Sequence, residues 1–232
     1  MHLLICAAGS GTRMGAGINK VLLPLLDRPL LAWTLAAIDR TTMITWVGLI
    51  TSAASYEACQ QLLAQYPCRC PVQLLLGGAT RQASVAQGLT HLPADCERVL
   101  IHDGARCLVS PDLMDRAALA LRDHAGIITA VPVKDTIKEV EPATQQICRT
   151  PPRERLWAAQ TPQGFRVDLL REAHRQAVAQ DWQVTDDAAL FERLGWPVVI
   201  VPGEETNLKV TTPLDLALAE FILNKQWSKN HE

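Results

Sequence analysis

Leu3-Leu4-Ile5-Cys6-Ala7-Ala8-Gly9-Ser10-Gly11-Thr12-Arg13-Met14-Gly15-Ala16-Gly17-Ile18-Asn19-Lys20 is a short apolar run that empties into a loop holding four glycines, one arginine and one lysine. Glycine lets backbone N–H groups turn toward an anion with no Cβ in the way, and the two cations supply charge that water would otherwise provide. The stretch predicts a buried strand followed by a grip for a triphosphate. Spacing separates it from the two commonest phosphate loops. Lys20 is followed by Val21, not by Ser or Thr, and no Gly-x-x-x-x-Gly-Lys leads into it, so it is not a P-loop. Gly9 and Gly11 fit the first two positions of a dinucleotide fingerprint, but the third falls on Met14. The second apolar run, Ile44 to Ile50, ends in Thr51-Ser52 with no acid for a ribose.

Outward from this loop, apolar strand-like runs alternate with amphipathic segments, the pattern of an α/β fold with a mostly parallel sheet covered by helices. The strands expected are Leu3–Cys6, Ile44–Ile50, Val72–Leu76, Val99–His102, Ile127–Val131 and Val198–Val201. Helix starts are marked at Ser110-Pro111-Asp112, where Ser caps, Pro takes the first helical position and Asp favours the dipole, and again at Thr212-Pro213-Leu214-Asp215. After the second, Leu214, Ala217, Leu218, Phe221 and Ile222 share one helical face, which predicts that the last helix packs on the sheet through them. At 232 residues and 48% hydrophobic, the chain is expected to form one domain over residues 1–232.

Residues 134–155 break the alternation. Lys134 to Glu141, then Pro142-Ala143-Thr144, then Gln145 to Arg149 reads as two polar strands around a turn. A lone ribbon with so little apolar surface is marginal in water, and a second subunit is the simplest thing for it to pack on.

A net charge of −2 and a pI near 6.3, with no Lys/Arg stripe, argue against a nucleic-acid partner and for a small ligand. The seven cysteines are odd in number and scattered, and Cys68-x-Cys70 lacks zinc-knuckle spacing, so they are expected to be reduced, mostly buried thiols. Neither a signal-peptide pattern nor an apolar run of about 20 residues is present, so the expected setting is the cytoplasm, with no membrane partner.

In open α/β sheets ligands bind beyond the carboxyl ends of the strands. The third expected strand delivers Gly77-Gly78-Ala79-Thr80-Arg81-Gln82-Ala83-Ser84, two glycines with a cation and hydroxyls at a helix start, an anion-tolerant place. The fourth delivers His102-Asp103-Gly104-Ala105-Arg106, whose acid beside a flexible glycine suits Mg²⁺ or a sugar hydroxyl. No other His or Cys is spaced to join His102 at a metal, so it reads as a core or supporting group.

With Thr136 after Asp135, Thr161-Pro162-Gln163, Thr185-Asp186-Asp187-Ala188 and Asn207-Leu208-Lys209-Val210 added, these segments resemble, nearly end to end, the 2-C-methyl-D-erythritol 4-phosphate cytidylyltransferase family. The first glycine-rich motif alone marks only the wider sugar-nucleotide pyrophosphorylase-like group; the ordered set is specific. The resemblance implies a Rossmann-like nucleotidyltransferase fold and a homodimer whose arm, residues 134–155, reaches across to its neighbour. It implies transfer from CTP to a small polyol phosphate in non-mevalonate isoprenoid synthesis, releasing pyrophosphate, with Mg²⁺ or another divalent cation as cofactor. Arg13, Lys20 and Lys209 are the implied catalytic residues. The nucleotide is assigned to Ala7, Ala8, Gly9, Gly11, Arg13, Lys20, Gly78, Arg81, Ser84, Asp103 and Lys209. Asp103, Arg106, Thr136 and Arg153 are assigned to the acceptor, and Asp103 is also the candidate Mg²⁺ ligand.

The attacking group in such a reaction is a phosphate oxygen, anionic near neutral pH, so no general base is needed and the work is positioning and charge stabilisation. Asn19 and Cys107 stand where many family members carry proline, which predicts a loop at 14–20 that is mobile without nucleotide. Two alternatives stay open at this point: the related transfer to ribitol 5-phosphate, and a non-catalytic nucleotide-binding module.

Overall fold

The computed structural model describes residues 1–9 and 19–229. In chain order the strands are β1 (His2–Cys6), β2 (Pro24–Leu25), β3 (Arg28–Pro29), β4 (Trp46–Thr51), β5 (Val72–Leu76), β6 (Arg98–Asp103), β7 (Gly126–Pro132), β8 (Glu139–Val140), β9 (Ile147–Arg149), β10 (Trp157–Arg166) and β11 (Val199–Pro202). The α-helices are α1 (Leu30–Asp39), α2 (Tyr56–Gln65), α3 (Arg81–Thr90), α4 (Pro111–Ala120), α5 (Val167–Ala179), α6 (Ala188–Arg193) and α7 (Pro213–Lys229). The main sheet has the order β11-β7-β10-β6-β1-β4-β5. Its neighbours are parallel except at β10, which runs antiparallel to both β6 and β7. All six expected strands are present, Val72–Leu76 with both ends as expected and the others with ends shifted by at most two residues.

Side chains alternate across a strand, so each strand feeds two cores. Leu3 and Ile5 join Val47, Leu49 and Leu100 under α1, α2 and α4, while Leu4 joins Ile50, Val99 and Ile101 under α3, α5 and α6. Burial on both faces is why these strands read as unbroken apolar runs. At α4 the expected cap is in place: Ser110 Oγ accepts from the Leu113 amide at 3.0 Å, with Pro111 as the first helical residue.

The strand β10 was not anticipated, because its sequence, Trp-Ala-Ala-Gln-Thr-Pro-Gln-Gly-Phe-Arg, holds a proline and a glycine that argue against a central strand. The structure accommodates both. The pairing with β7 slips between Ala159 and Gln163, so Gln160, Thr161 and Pro162 form a bulge and Pro162 lies outside the paired register. Gly164 is squeezed beneath α4, where a Cβ would meet Leu100, Leu121 and Ile127 side-chain atoms at 2.8, 2.9 and 3.0 Å.

The last helix corrects a second expectation. Leu214, Leu218 and Phe221 are exposed, and the buried contacts of α7 come from Ala219 and Leu223, with Leu216 and Ile222 beside them, against Leu25, Leu30, Leu108 and Val210. Apolar residues lie on two sides of this helix, so periodicity alone does not choose between them. Asp215 contributes to the choice: its Oδ2 accepts from Thr211 N, Thr211 Oγ1 and Thr212 N, each at 2.8 Å, which ties the helix start to the preceding turn.

Residues 134–155 form the expected pair of short antiparallel strands, β8 and β9, outside the main sheet. Ile137, Val140 and Ile147 on this ribbon are exposed, as is Trp157 where β10 begins. Of the seven free cysteines, Cys59, Cys96 and Cys107 are buried, three are half-buried and Cys148 is exposed, so fewer are buried than expected. Among the described residues no helix is long and apolar enough to cross a membrane.

The bulge of β10 also fixes a buried histidine. Thr161 Oγ1 accepts from the Asp103 amide at 3.0 Å, so its proton is free to donate to His102 Nδ1, also 3.0 Å away. His102 Nε2 then carries the ring proton and donates to the Arg106 carbonyl at 3.2 Å. Burial is the main reason that the His102 pKa is pushed down to about 4. The unfolded chain takes up this proton near pH 6.5 and the folded one does not until about pH 4, so between those values stability falls as pH falls. Urea unfolding midpoints should decline from pH 7 to pH 5, with His102 contributing up to about 1.4 kcal/mol per pH unit. A His102→Gln variant should show a shallower decline, and an unchanged slope would contradict the assignment.

Candidate active site

The sheet grows from β1 toward β4 and β5 and resumes with β6 on the other flank of β1. That reversal opens a crevice beyond the carboxyl ends of β1 and β6, the place where open α/β sheets bind ligands. A cavity of about 430 Å³ occupies it. The end of β1 contributes Ala7, Ala8 and Gly9, and Lys20 enters from the turn that precedes β2. The β5–α3 connection contributes Gly78, and the first turn of α3 contributes Arg81 and Ser84. Asp103 comes from the end of β6, and Lys209 from the segment between β11 and α7. These residues, all singled out in the sequence, are brought together. Gly11 and Arg13 lie outside the described residues.

Each wall is held by identifiable bonds. On the β5–α3 side, Ser84 Oγ accepts from Gly78 N at 3.1 Å and donates to Thr80 O at 2.8 Å, while Thr80 Oγ1 caps α3 through the Ala83 amide. A Cβ on Gly78 would lie 2.6 Å from the Ala83 Cβ, so this tight loop requires glycine. The positive end of α3 faces the cavity here, which favours anions.

Lys20 is positioned by a residue whose role the sequence did not reveal. Asn19 is buried, donates from Nδ2 to Ala7 O at 2.6 Å and to Ser55 Oγ at 3.3 Å, and accepts at Oδ1 from Val21 N. It therefore ties the Lys20 turn to the end of β1. The expectation of a mobile loop at 14–20 fell partly on residues 14–18, outside the described residues. At Asn19 the carboxamide supplies restraint that proline would have given through its ring.

Asp103 is the electrostatic centre. Its Oδ2 lies 2.7 Å from Lys209 Nζ and 3.8 Å from Arg106 Nε, and its Oδ1 is 3.4 Å from Arg81 Nε. Burial alone would raise its pKa, but Lys209 and then Arg81 outweigh this and hold the carboxyl well below the usual carboxylate range. Lys209 sits in a braced segment, since Asn207 Nδ2 donates to Thr161 O at 2.9 Å and Val210 N donates to Ala105 O at 2.9 Å. Arg106 lies behind Asp103 with its guanidinium bonded to the Asn207 and Ala159 carbonyls. Burial lowers the Arg106 pKa, with Asp103 opposing.

Two further features bear on the chemistry. Cys6 lines the cavity as a thiol, its pKa pushed up to about 12, chiefly by burial. Among the described residues no three His, Cys, Asp or Glu side chains converge to hold a metal ion. The one carboxylate lining the cavity has both oxygens facing cations. A divalent cation held by the protein's own side chains does not fit that donor set.

Thr136 and Arg153 are not brought to the cavity within the chain. Both are exposed at the base of the arm, where Arg153 Nη1 donates to Lys134 O at 2.7 Å.

Comparison with known proteins adds the family. The model of the family described as IspD, 2-C-methyl-D-erythritol 4-phosphate cytidylyltransferase, matches residues 1–225. A relative of that name from Synechococcus sp. is 61% identical over 230 residues, covering 97% of this chain and 98% of its own length. One from Thermosynechococcus vestitus is 60% identical over 223 residues, covering 96% and 95%. Among solved structures, the 2-C-methyl-D-erythritol 4-phosphate cytidylyltransferase of Thermus thermophilus superposes with a TM-score of 0.76 at 38% identity, covering 95% of this chain and 97% of its own. The 4-diphosphocytidyl-2C-methyl-D-erythritol synthase of Anaerococcus prevotii gives 0.85 at 31%, covering 96% and 97%. The chain belongs to the 2-C-methyl-D-erythritol 4-phosphate cytidylyltransferase family and is a nucleotidyltransferase.

Proposed function

We propose that this chain joins CTP to 2-C-methyl-D-erythritol 4-phosphate in the non-mevalonate isoprenoid route, giving 4-diphosphocytidyl-2-C-methyl-D-erythritol and pyrophosphate. The observation that carries the reading is the convergence of Lys20, Arg81 and Lys209 on one cavity beside the Ala7–Gly9 backbone. The acceptor phosphate oxygen attacks the α-phosphate of CTP, and the bond to the departing pyrophosphate breaks. The nucleophile is already an anion and needs no general base, and His102, the histidine behind Asp103, stays buried and neutral. Lys20 and Lys209 stabilise charge that builds on the α-phosphate and the pyrophosphate, and Arg13 is assigned the same task. Small residues at 7–9 and 78 leave backbone groups accessible to the base edge. Magnesium enters as the companion of the nucleotide in solution.

The acceptor half of the site is completed by a second copy. Thr136 and Arg153 stand on an arm whose exposed Ile137, Val140 and Ile147 have no core of their own, which supports exchange of arms in a homodimer. Seven unpaired thiols suit a reducing compartment, the cytoplasm. Transfer to ribitol 5-phosphate and a non-catalytic role are not favoured, because the family and the relatives named above carry the methylerythritol activity.

Incubation with CTP, Mg²⁺ and either acceptor, followed by pyrophosphate release, tests the reading. Turnover should require the methylerythritol phosphate, and equal rates with ribitol 5-phosphate would overturn the substrate. Lys20→Ala and Lys209→Ala should each lower kcat at least about a hundredfold; a folded variant with near wild-type kcat would refute that residue's role. Arg153→Ala should raise the KM of the acceptor far more than that of CTP, whereas an effect confined to CTP would contradict the placement of the arm.

A further inference from the structure

Arg81 is held from two sides. Its Nε reaches Asp103 at 3.4 Å, but its closer contact, at 2.7 Å, runs from Nη1 to Oδ2 of Asp187, a carboxylate whose side chain is 1% exposed. The other oxygen of Asp187 lies 3.2 Å from His174 Nε2 on α5. Burial opposes ionisation of Asp187, yet Arg81 and then His174 keep its pKa below the ordinary value, so it accepts from both. Asp187 stands at the N-cap position of α6, but its side chain makes no cap bond; Asp186 Oδ1 accepts from the Ala189 amide at 3.1 Å instead.

A buried carboxylate is expensive to desolvate unless a cation and hydrogen bonds compensate it, so one that reaches from the residue before α6 to the first residue of α3 calls for a reason. Charge balance supplies one. Without Asp187, the three cations Arg81, Arg106 and Lys209 would share the single carboxylate of Asp103. With it, Arg81 has its own counterion and a fixed orientation. Arg81 lines the cavity, and its Nη2, closed off from solvent, finds no acceptor among the described residues, so the two carboxylates are what hold the guanidinium in place there.

We propose that Asp187, backed by His174, is a positioning residue that fixes the Arg81 guanidinium for the nucleotide and leaves Asp103 to Lys209. This rests on the cavity being the CTP site proposed above. The test measures the CTP dissociation constant by calorimetry, which needs no turnover, together with the two KM values. Asp187→Asn should weaken CTP about tenfold, the scale of one charge-assisted hydrogen bond, and leave the acceptor KM within about twofold. In an Arg81→Ala background the same change should have less than about a twofold effect, because Asp187 acts through Arg81. His174→Gln, a milder change that covers the case of a misfolded Asp187→Asn, should weaken CTP about threefold with the acceptor KM unchanged.

An Asp187→Asn effect that persists undiminished in the Arg81→Ala background would overturn the proposal. So would equal changes in both KM values, or His174→Gln binding CTP as wild type does. Wild-type protein that binds CTP with these dependences but releases no pyrophosphate would instead contradict the reaction alone.

Discussion

One buried carboxylate, Asp103, gathers Lys209, Arg81 and Arg106. Such a group is unfavourable to bury by itself, and removing its partners would leave an uncompensated charge worth several kcal/mol. Here Lys209 and Arg81 approach from separate parts of the chain, with Arg106 from the turn just beyond it, and the ion cluster converts folding into a preorganised positive wall. Preorganisation is the catalytic resource in a reaction between two anions, since nothing then has to reorient as charge moves from the attacking oxygen to the pyrophosphate.

The constraint propagates into the sheet. The Asp103 amide is held by Thr161, which sits in the β10 bulge, and the same bulge presents the Thr161 carbonyl and Gln160 Oε1 to Asn207. Asn207 lies two residues before Lys209, so one irregular stretch of β10 braces both partners of the shortest ion pair in the cluster. A regular strand would have turned the Thr161 carbonyl into the ladder. Proline within the stretch is tolerated because those residues have already left the paired register.

Much of this was legible in the sequence. The strand alternation, the glycine loop at 9–17 and the segments at 77–84, 102–106 and 207–210 point to one crevice, because composition at strand ends reports on ligands directly. What was not legible depended on tertiary context. Pro162 and Gly164 disguised β10, since local rules assume a regular central strand. The packed side of α7 was misassigned because apolar residues occur on both sides and the start of the helix is set by Asp215. Asn19 reads in the sequence as a loosening change, whereas its side chain replaces one kind of restraint by another through bonds to residues 12 and 36 positions away. Asp187 carried part of the family resemblance but no role, because its partner Arg81 is 106 residues distant.

The most direct test of Asp103 as a permanent anion is its own titration, followed by the ¹³C resonance of its carboxyl group in the ligand-free protein. An unpaired aspartate is about half protonated at pH 4. The account predicts that Asp103 remains fully ionised there in wild type, and that Lys209→Gln moves its midpoint upward. A wild-type midpoint at or above the ordinary value, or one indifferent to Lys209, would contradict it.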